Sequence, residues 1–114
     1  MYYLKGEEEV VSAVREIFEK SSPVYISTVT EIELFGFHDL TDIEAGHIDE
    51  FLKIVSIIPL DSRIARLAGF LRRTHRLKLA DSAIAATALF TGTKLLTRNT
   101  RDFKNVFNLA VQRI

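Results

Sequence analysis

Hydrophobic residues recur along the chain with two alternating periods, one typical of helices and one typical of buried strands. Residues Glu7–Lys20 carry apolar side chains every three or four positions, which predicts a helix that ends at Ser21-Ser22-Pro23. The β-branched and aromatic run Val24–Val29 then predicts a buried strand. Thr30 is predicted to begin a further short helix that fades at Gly36.

The rest of the chain continues this alternation of helices and strands. In chain order, the predicted elements are a helix capped by Thr41 or Asp42, strand Val55–Leu60, a helix capped by Asp61, an alanine-rich helix Asp81–Phe90 ended by Gly92, and strands Lys94–Thr97 and Leu109–Ile114. The alanine-rich helix is apolar on nearly every side, which predicts burial on several sides. Strands separated by helices of about ten or more residues indicate βαβ units and a parallel sheet with helices on both faces. The sequence therefore predicts a three-layer α/β/α fold in one domain spanning residues 1–114.

The composition excludes several classes of protein. The 114 residues include 15 basic and 15 acidic side chains, so any nucleic-acid binding has to come from a local patch. The absence of cysteine excludes a disulfide scaffold and thiolate zinc sites, and it fits a reducing compartment. No apolar run approaches the ~20 residues needed to cross a bilayer, and the N-terminus lacks the apolar stretch of a signal peptide. We therefore expect a cytoplasmic protein without a membrane partner.

Polar side chains follow the predicted strands at their carboxyl ends, where ligands bind in open parallel sheets. They are Thr30 and Glu33 after the first predicted strand, Asp81 at the start of the alanine-rich helix, and Thr97, Asn99 and Asp102 after the third strand. Clustered carboxylate oxygens suit Mg²⁺ or Mn²⁺, which are hard cations that also coordinate phosphate oxygens. A site of this kind lowers the pKa of a bound water and neutralises charge on a phosphodiester.

The same residues also have a purely structural interpretation. Thr30-x-x-Glu33 matches a capping box, and Asn99-x-x-Asp102 is a looser version of one. Asp81 can equally begin a helix as its N-cap. If these residues are only caps, substituting one should lower the free energy of unfolding by roughly 1 kcal/mol and leave any activity unchanged. They give no reason for all three acids to follow strands at one edge of the sheet.

Basic side chains are concentrated in the segment 72–78. The favourable interaction of cations with the negative end of a helix dipole is enough to explain Arg72 and Arg73. Arg76, together with Arg98 and Arg101, is the stronger candidate for holding a phosphate backbone.

Three stretches of the sequence resemble the motifs of a known family. They are Ile26–Leu34, Leu79–Ala88 and Leu96–Phe103. In this order and spacing they resemble the second, third and fourth motifs of PIN-domain ribonucleases, the toxins of VapC-like toxin–antitoxin pairs. The similarity runs from about Tyr3 to the C-terminus, and the last two motifs together are quite specific.

The resemblance implies an endoribonuclease that depends on Mg²⁺ or Mn²⁺. Glu33 and Asp81 match metal-site acids of the family, and Asp102 is the best candidate for the remaining acid. Thr97 and Asn99 match the polar group of the fourth motif, where they would orient the carboxylates or a phosphate oxygen. The resemblance further implies a homodimer and a small antitoxin protein that inserts near the acidic site.

The sequence departs from the family's pattern at its start. Family members open with a short strand that ends in an Asp-x-Asn-type motif, and the aspartate of that motif is the first metal ligand. Met1–Gly6 resembles the segment just after that motif, so no residue takes the role of this aspartate. We therefore expect the first strand of the sheet to be missing and the natural product to start upstream of Met1. A rearranged sheet and a strand supplied by another protomer are the alternatives.

The sequence thus predicts a metal-dependent endoribonuclease, the toxin of a VapBC-type pair, with Glu33, Asp81 and Asp102 as its catalytic and metal-binding acids. The alternative is a catalytically inactive PIN-like module that pairs with an antitoxin or another protein. The missing first aspartate favours the module, whereas retention of the other three motifs favours the enzyme. A phosphatase-like α/β domain would need an aspartate nucleophile after a first strand, and this sequence offers none.

Overall fold

A computed structural model of the chain describes residues 24–97 and 99–113. In chain order, the elements are β1 (Tyr25–Ser27), α1 (Thr28–Phe35), α2 (Asp42–Leu52), β2 (Ser56–Ile58), α3 (Ser62–His75), α4 (Leu79–Thr91), β3 (Leu95–Thr97), a 3₁₀ turn (Thr100–Asp102) and β4 (Val111–Arg113). The predicted helix Glu7–Lys20 lies outside the described residues. So do Arg98, Ile114 and the segment where a first strand was expected to be missing.

The strands pair in parallel, as the alternation of strands and helices predicts. β1 pairs with β2, with Ile26 opposite Ile57. β3 pairs with β4, with Leu96 opposite Gln112. The prediction of an α/β fold with parallel strands is confirmed. Within the described residues, however, the four strands form two separate pairs rather than one continuous sheet.

Several helix boundaries lie where the sequence signals place them. Thr41 caps α2 through a capping box, because its hydroxyl accepts from the Glu44 amide at 3.1 Å and the Glu44 carboxylate accepts from the Thr41 amide at 3.0 Å. Asp61 caps α3 by accepting from the Ile64 amide at 3.0 Å. Gly92 ends α4 in the left-handed conformation, with φ of 65°.

Two helices begin earlier than predicted. The first begins at Thr28 rather than at Thr30, because Ser27 is its N-cap. The alanine-rich helix begins at Leu79 rather than at Asp81. Both corrections bear on the candidate site, since each places a carboxylate inside the helix instead of at its cap.

The core consists of two hydrophobic clusters. The larger one joins α3, α4 and β3, with Ile64, Ile84 and Leu95 among its buried members. The smaller one joins β1 to α1 and α2 through residues such as Leu34 and Phe51. α4 is buried along its whole middle, from residue 81 to residue 88, which confirms the prediction from its apolar composition. Among the described helices, none is both long and apolar enough to cross a membrane.

Candidate active site

The first acid of the candidate site, Glu33, is positioned by the immediate transition from β1 to α1. The helix starts at the residue after the strand, so its first two turns lie directly at the carboxyl end of β1. Thr30 and Leu34 share a helical face with Glu33 and are buried, at 5% and 1% exposure. The Glu33 side chain is half-buried on this face.

The structure excludes the capping-box interpretation of Glu33. The side chain of Ser27, not that of Thr30, caps α1, and its hydroxyl accepts from the Val29 amide at 3.1 Å. Thr30 lies in the first turn of the helix, so it cannot form a box with Glu33. The placement of a carboxylate in this half-buried position therefore has no capping role to explain it.

Asp81 is not a helix cap either. The N-cap of α4 is Lys78, which makes no side-chain capping bond, and Asp81 lies in the first turn of the helix. An aspartate there interacts favourably with the helix dipole. Yet its side chain is almost withdrawn from solvent, since the residue is only 9% exposed. Burial of a carboxylate costs more free energy than the dipole returns, unless a partner compensates the charge.

The electrostatics show that the acids repel one another. The pKa of Glu33 is raised, first by burial and then by the negative charge of Asp81. The pKa of Asp81 is also raised, first by burial and then by the negative charge of Asp102, while the Lys78 ammonium opposes this shift. Each acid therefore binds a proton more readily than usual, and a divalent cation would relieve the same repulsion.

An unpartnered oxygen points to a ligand at this position. The Oε1 atom of Glu33 is buried and accepts no hydrogen bond from any residue that the structure describes. Buried polar atoms are nearly always hydrogen-bonded, and an exception calls for a water, an ion or a catalytic role. Carboxylate oxygens are preferred ligands of Mg²⁺ and Mn²⁺, so a hard cation fits the chemistry of this atom.

The turn after β3 holds the remaining predicted site residues. Thr97 is buried at 2% exposure, and its hydroxyl accepts from the Asn99 amide at 3.0 Å. The side-chain amide of Asn99 donates to Oδ2 of Asp102, which lies at the end of the 3₁₀ turn. The looser capping box predicted for these two residues does not form, because Asn99 makes no side-chain capping bond. Asn99 instead fixes the orientation of the exposed Asp102 carboxylate.

The three predicted acids interact in two pairs, both of which include Asp81. Asp81 lies within electrostatic range of both Glu33 and Asp102. Across residues 24–97 and 99–113, no three acidic or histidine side chains are close enough to hold a metal ion by themselves. Mg²⁺ is commonly bound by one or two carboxylates, with water and phosphate oxygens completing its shell. Glu33 and Asp81, whose charges interact, are the candidate pair for such a site.

Two of the three basic candidates lie within the described residues. Arg76 ends α3 in the left-handed conformation, with φ of 55°, and it is exposed. Arg101 is exposed within the 3₁₀ turn, next to Asp102, whereas Arg98 lies outside the described residues. Lys78 ends the basic segment 72–78 of the sequence, and its positive charge acts on Asp81, an interaction that the sequence pattern did not predict.

Comparison with solved structures shows the fold in other proteins. The chain is similar to a DNA-bound VapBC from Salmonella typhimurium, with a TM-score of 0.81, 17% identity and coverage of 99% of this chain and 96% of that one. It is similar to VapBC2 from Rickettsia felis bound to a promoter DNA fragment, with a TM-score of 0.81, 21% identity and coverage of 100% and 97%. A toxin–antitoxin complex from Klebsiella pneumoniae gives a TM-score of 0.71 at 27% identity, with coverage of 99% and 98%.

Sequence comparison places the chain in a family. No curated protein matches it in sequence. The family model of the PIN domain matches residues 1–108, which is nearly the whole chain. This match agrees with the fold and with the order of the three stretches that resemble the family's motifs. The chain belongs to the PIN domain family.

Proposed function

We propose that the protein is an endoribonuclease that depends on Mg²⁺ or Mn²⁺ and acts as the toxin of a toxin–antitoxin pair. The observation that supports it most directly is the buried, unpartnered oxygen of Glu33, whose carboxylate feels the charge of the buried Asp81. Two mutually repelling carboxylates are an unfavourable arrangement for stability alone. They suit a hard cation, which would neutralise their charge and could assist phosphodiester cleavage.

Each residue of the site has a distinct task in this proposal. Glu33 and Asp81 would hold the cation. When bound, such an ion lowers the pKa of a water and neutralises charge on the phosphate. Asp102, held by Asn99, acts on Asp81 through its charge and faces solvent, where it can orient a water toward the phosphate. Thr97 supports the turn that carries both.

The arginines around the acids would supply the substrate contacts. Arg76 and Arg101 are exposed, so their guanidinium groups are free to reach phosphate oxygens of RNA. We place Arg98, which follows Thr97, in the same role on the basis of the sequence. Phosphate contacts of this kind position an RNA without specifying its sequence.

The partners are proposed from the fold neighbours. The three similar structures are VapBC or toxin–antitoxin complexes, which supports a small antitoxin as the partner of this chain. We also propose a homodimer, a cytoplasmic location and a single domain over residues 1–114. The family resemblance supports the dimer, and the absence of cysteine, which fits a reducing compartment, supports the location.

Cleavage of a labelled structured RNA in the presence of Mn²⁺ tests the proposal. We expect cleavage by the wild-type chain, and its loss both in Asp81→Asn and on addition of a chelator. Asp49→Asn removes a carboxylate from the exposed surface of α2 and is the matched control, which should cleave normally. Cleavage that persists in Asp81→Asn would show that another site or a contaminant is responsible.

A catalytically inactive binding module is the second candidate. The observation that favours it is that Asp102 does not join Glu33 and Asp81 in one ligand group within the described residues. Titration calorimetry with Mn²⁺ separates the two candidates, because a binding module has no need of the ion. Heat that saturates with Mn²⁺ and disappears in Asp81→Asn supports the enzyme, whereas no binding by the folded wild type supports the module.

A further inference from the structure

The positive charge of the molecule is concentrated on one helix and the loop that follows it. Six basic residues and no acidic residue lie between positions 62 and 80, in a chain of zero net charge. They are Arg63, Arg66, Arg72, Arg73, Arg76 and Lys78. The helix dipole explains the cations in the last turn of α3. It does not explain Arg63 and Arg66, which lie in the first two turns, where the dipole disfavours positive charge.

Aromatic rings are interleaved with these arginines on one exposed face. Arg63, Arg66, Phe70 and Arg73 follow one another at spacings of three, four and three residues, which places them on one side of α3. The Arg73 guanidinium lies over the Phe70 ring, 5.3 Å from its centroid. That of Arg63 lies over the ring of Phe90 in α4, at 4.9 Å. We name these five residues the Arg/Phe stripe.

The stripe is open to solvent, although its rings are large and apolar. Phe70 is 48% exposed and Phe90 is 45% exposed, and the arginines are exposed as well. Arg63 also pairs with Asp61 at 3.1 Å. Arg66 makes no ion pair with any residue that the structure describes. Exposed rings can stack on flat groups of a ligand, and the guanidinium groups over them can bind its anionic groups.

The Arg73 end of the stripe lies toward the end of α4 that carries Asp81. Three residues connect α3 to α4, and the contact of Arg63 with Phe90 brings the start of α3 to the end of α4. The two helices therefore run antiparallel, and the end of α3 lies beside the start of α4, where Asp81 is located. From Arg73 the stripe extends back to Arg63, a distance of about 15 Å along the helix.

We propose that the Arg/Phe stripe is a docking track for single-stranded RNA that leads to the acidic site. The inference rests on the proposed ribonuclease function, which it extends to the flanking part of the substrate. Unpaired bases stack on aromatic rings and on guanidinium planes, while the phosphates pair with arginine. A net positive, aromatic surface matches these needs, whereas an apolar protein partner would not require three arginines on the same face.

RNA affinity measured without metal tests the track separately from cleavage. The probe is a fluorescently labelled single-stranded RNA of about 12 nucleotides, within the site sizes of such proteins, and anisotropy is read in the presence of EDTA. Phe70→Ala removes a stacking surface, and we expect affinity to fall at least about fivefold. Phe107→Ala is the matched control, since Phe107 is 79% exposed and is not part of the stripe.

The charge contribution is tested with two arginines of the same helix. Arg66→Gln should lower the slope of log affinity against log salt by about 0.7, the value for one phosphate contact on a single strand. Arg72→Gln removes the same charge a third of a turn away from the stripe and should leave the slope unchanged. Equal effects of the two substitutions, or equal effects of Phe70→Ala and Phe107→Ala, would overturn the track. Circular dichroism confirms that each variant is folded.

The results also separate the track from the proposed function. If RNA binds through the stripe but is not cleaved in Mn²⁺, the ribonuclease proposal fails while the track is supported. If RNA is cleaved and the stripe variants bind it with wild-type affinity, the track fails alone.

Sedimentation of Phe70→Ala tests whether the stripe instead contacts a second copy of the chain. A change from dimer to monomer with unchanged RNA affinity would assign the stripe to a second copy of the chain and overturn the proposal.

Discussion

Asp81 carries a carboxylate that is largely withdrawn from water and close to other negative charges. Burial and the charge of Asp102 both raise its pKa above the ordinary value of 3.8. In the metal-free protein at neutral pH, this aspartate is charged where a charge is unfavourable. The charged carboxylate therefore destabilises the folded state locally, and a catalytic or metal-binding role would explain why it is present.

We predict that Asp81→Asn stabilises the metal-free protein at pH 7. The neutral amide removes the repulsion, so we expect a higher midpoint of thermal unfolding than for the wild type. Thermal unfolding followed by circular dichroism in EDTA measures the difference from wild type. Asp49→Asn, at an exposed position of α2, should change the midpoint by much less. A lower midpoint for Asp81→Asn would show that the carboxylate contributes to stability instead.

The pH dependence of this difference follows from the direction of the pKa shifts. A raised pKa means that the folded state binds the proton more tightly than the unfolded state. The stabilisation from Asp81 and Glu33 is thus fully present below their ordinary pKa values of 3.8 and 4.5, and it is lost as pH rises through the raised values. The advantage of Asp81→Asn over wild type should accordingly be largest at pH 7 and shrink toward pH 4.

The sequence predicts which acids form the proposed site, but it does not predict their surroundings. Thr30 and Glu33 match a capping box in sequence, and nothing in that pattern shows that Ser27 caps the helix instead. Three hydroxyl residues occur within Ser27–Thr30, and each is an acceptable N-cap. The choice among them is decided by where the strand stops pairing. That depends on β2, which lies about 30 residues further along the chain.

Helix ends were predictable where a side chain forms the cap. Thr41 and Asp61 make the hydrogen bonds that their sequence signals imply. The start of α4 was missed because its N-cap, Lys78, makes no side-chain bond and so leaves no signal. Leu79 and Ala80 are good helix formers, and they extend the helix past the aspartate that resembled its cap.

Two glycines allow a direct test of how helix ends are determined. Gly92 ends α4 at a φ of 65°, whereas Gly46 lies inside α2, and an added Cβ would meet no atom within 4 Å at either position. We predict that Gly92→Ala destabilises the protein by about 1–2 kcal/mol, the cost of a left-handed residue with a side chain. Gly46→Ala should stabilise it by about 0.5–1 kcal/mol.

Urea unfolding of both glycine variants measures these changes. Since neither Cβ meets a neighbour, the opposite signs isolate the backbone conformation as the cause. Similar changes in both variants would mean that the end of α4 is not held in the left-handed conformation.

On the scale of the whole molecule, the zero net charge conceals a strong separation of charge along the chain. Residues 24–61 contain eight acids and one basic residue, whereas residues 62–113 contain eleven basic residues and two acids. Glu33 comes from the acidic part, while Asp81 and Asp102 come from the basic part. The candidate site therefore lies where the two parts meet. A cation and a polyanion would be attracted to opposite sides of it.

The sequence contains this separation, but the fold is needed to interpret it. The helical spacing of Arg63 and Phe70 was visible in the sequence, yet the antiparallel packing of α3 on α4 is what adds Phe90 to the same face. Likewise, the approach of Glu33 to Asp81 joins residues almost 50 positions apart. Interactions of this range depend on tertiary packing, which local patterns do not specify.

The stability of the whole protein should report the occupancy of this site. A ligand that binds the folded state at a hundred times its Kd adds about 2.7 kcal/mol to the free energy of unfolding. We predict that Mn²⁺ raises the melting temperature of the wild type at pH 7 by several degrees, and that Asp81→Asn abolishes the rise. Asp49→Asn should keep it, since its carboxylate lies on the surface of α2.

The dependence of this metal-induced rise on pH discriminates between binding at the acidic pair and weak binding elsewhere. Mn²⁺ must displace the protons that Glu33 and Asp81 hold more tightly than ordinary carboxylates do. The rise should therefore diminish at a higher pH than it would for ion binding to exposed carboxylates. A rise that stays constant down to pH 4, or that persists in Asp81→Asn, would place the ion at other groups. Under the proposed function, the same two carboxylates would lower stability without the ion and raise it with the ion bound, so one set of melting curves tests both directions.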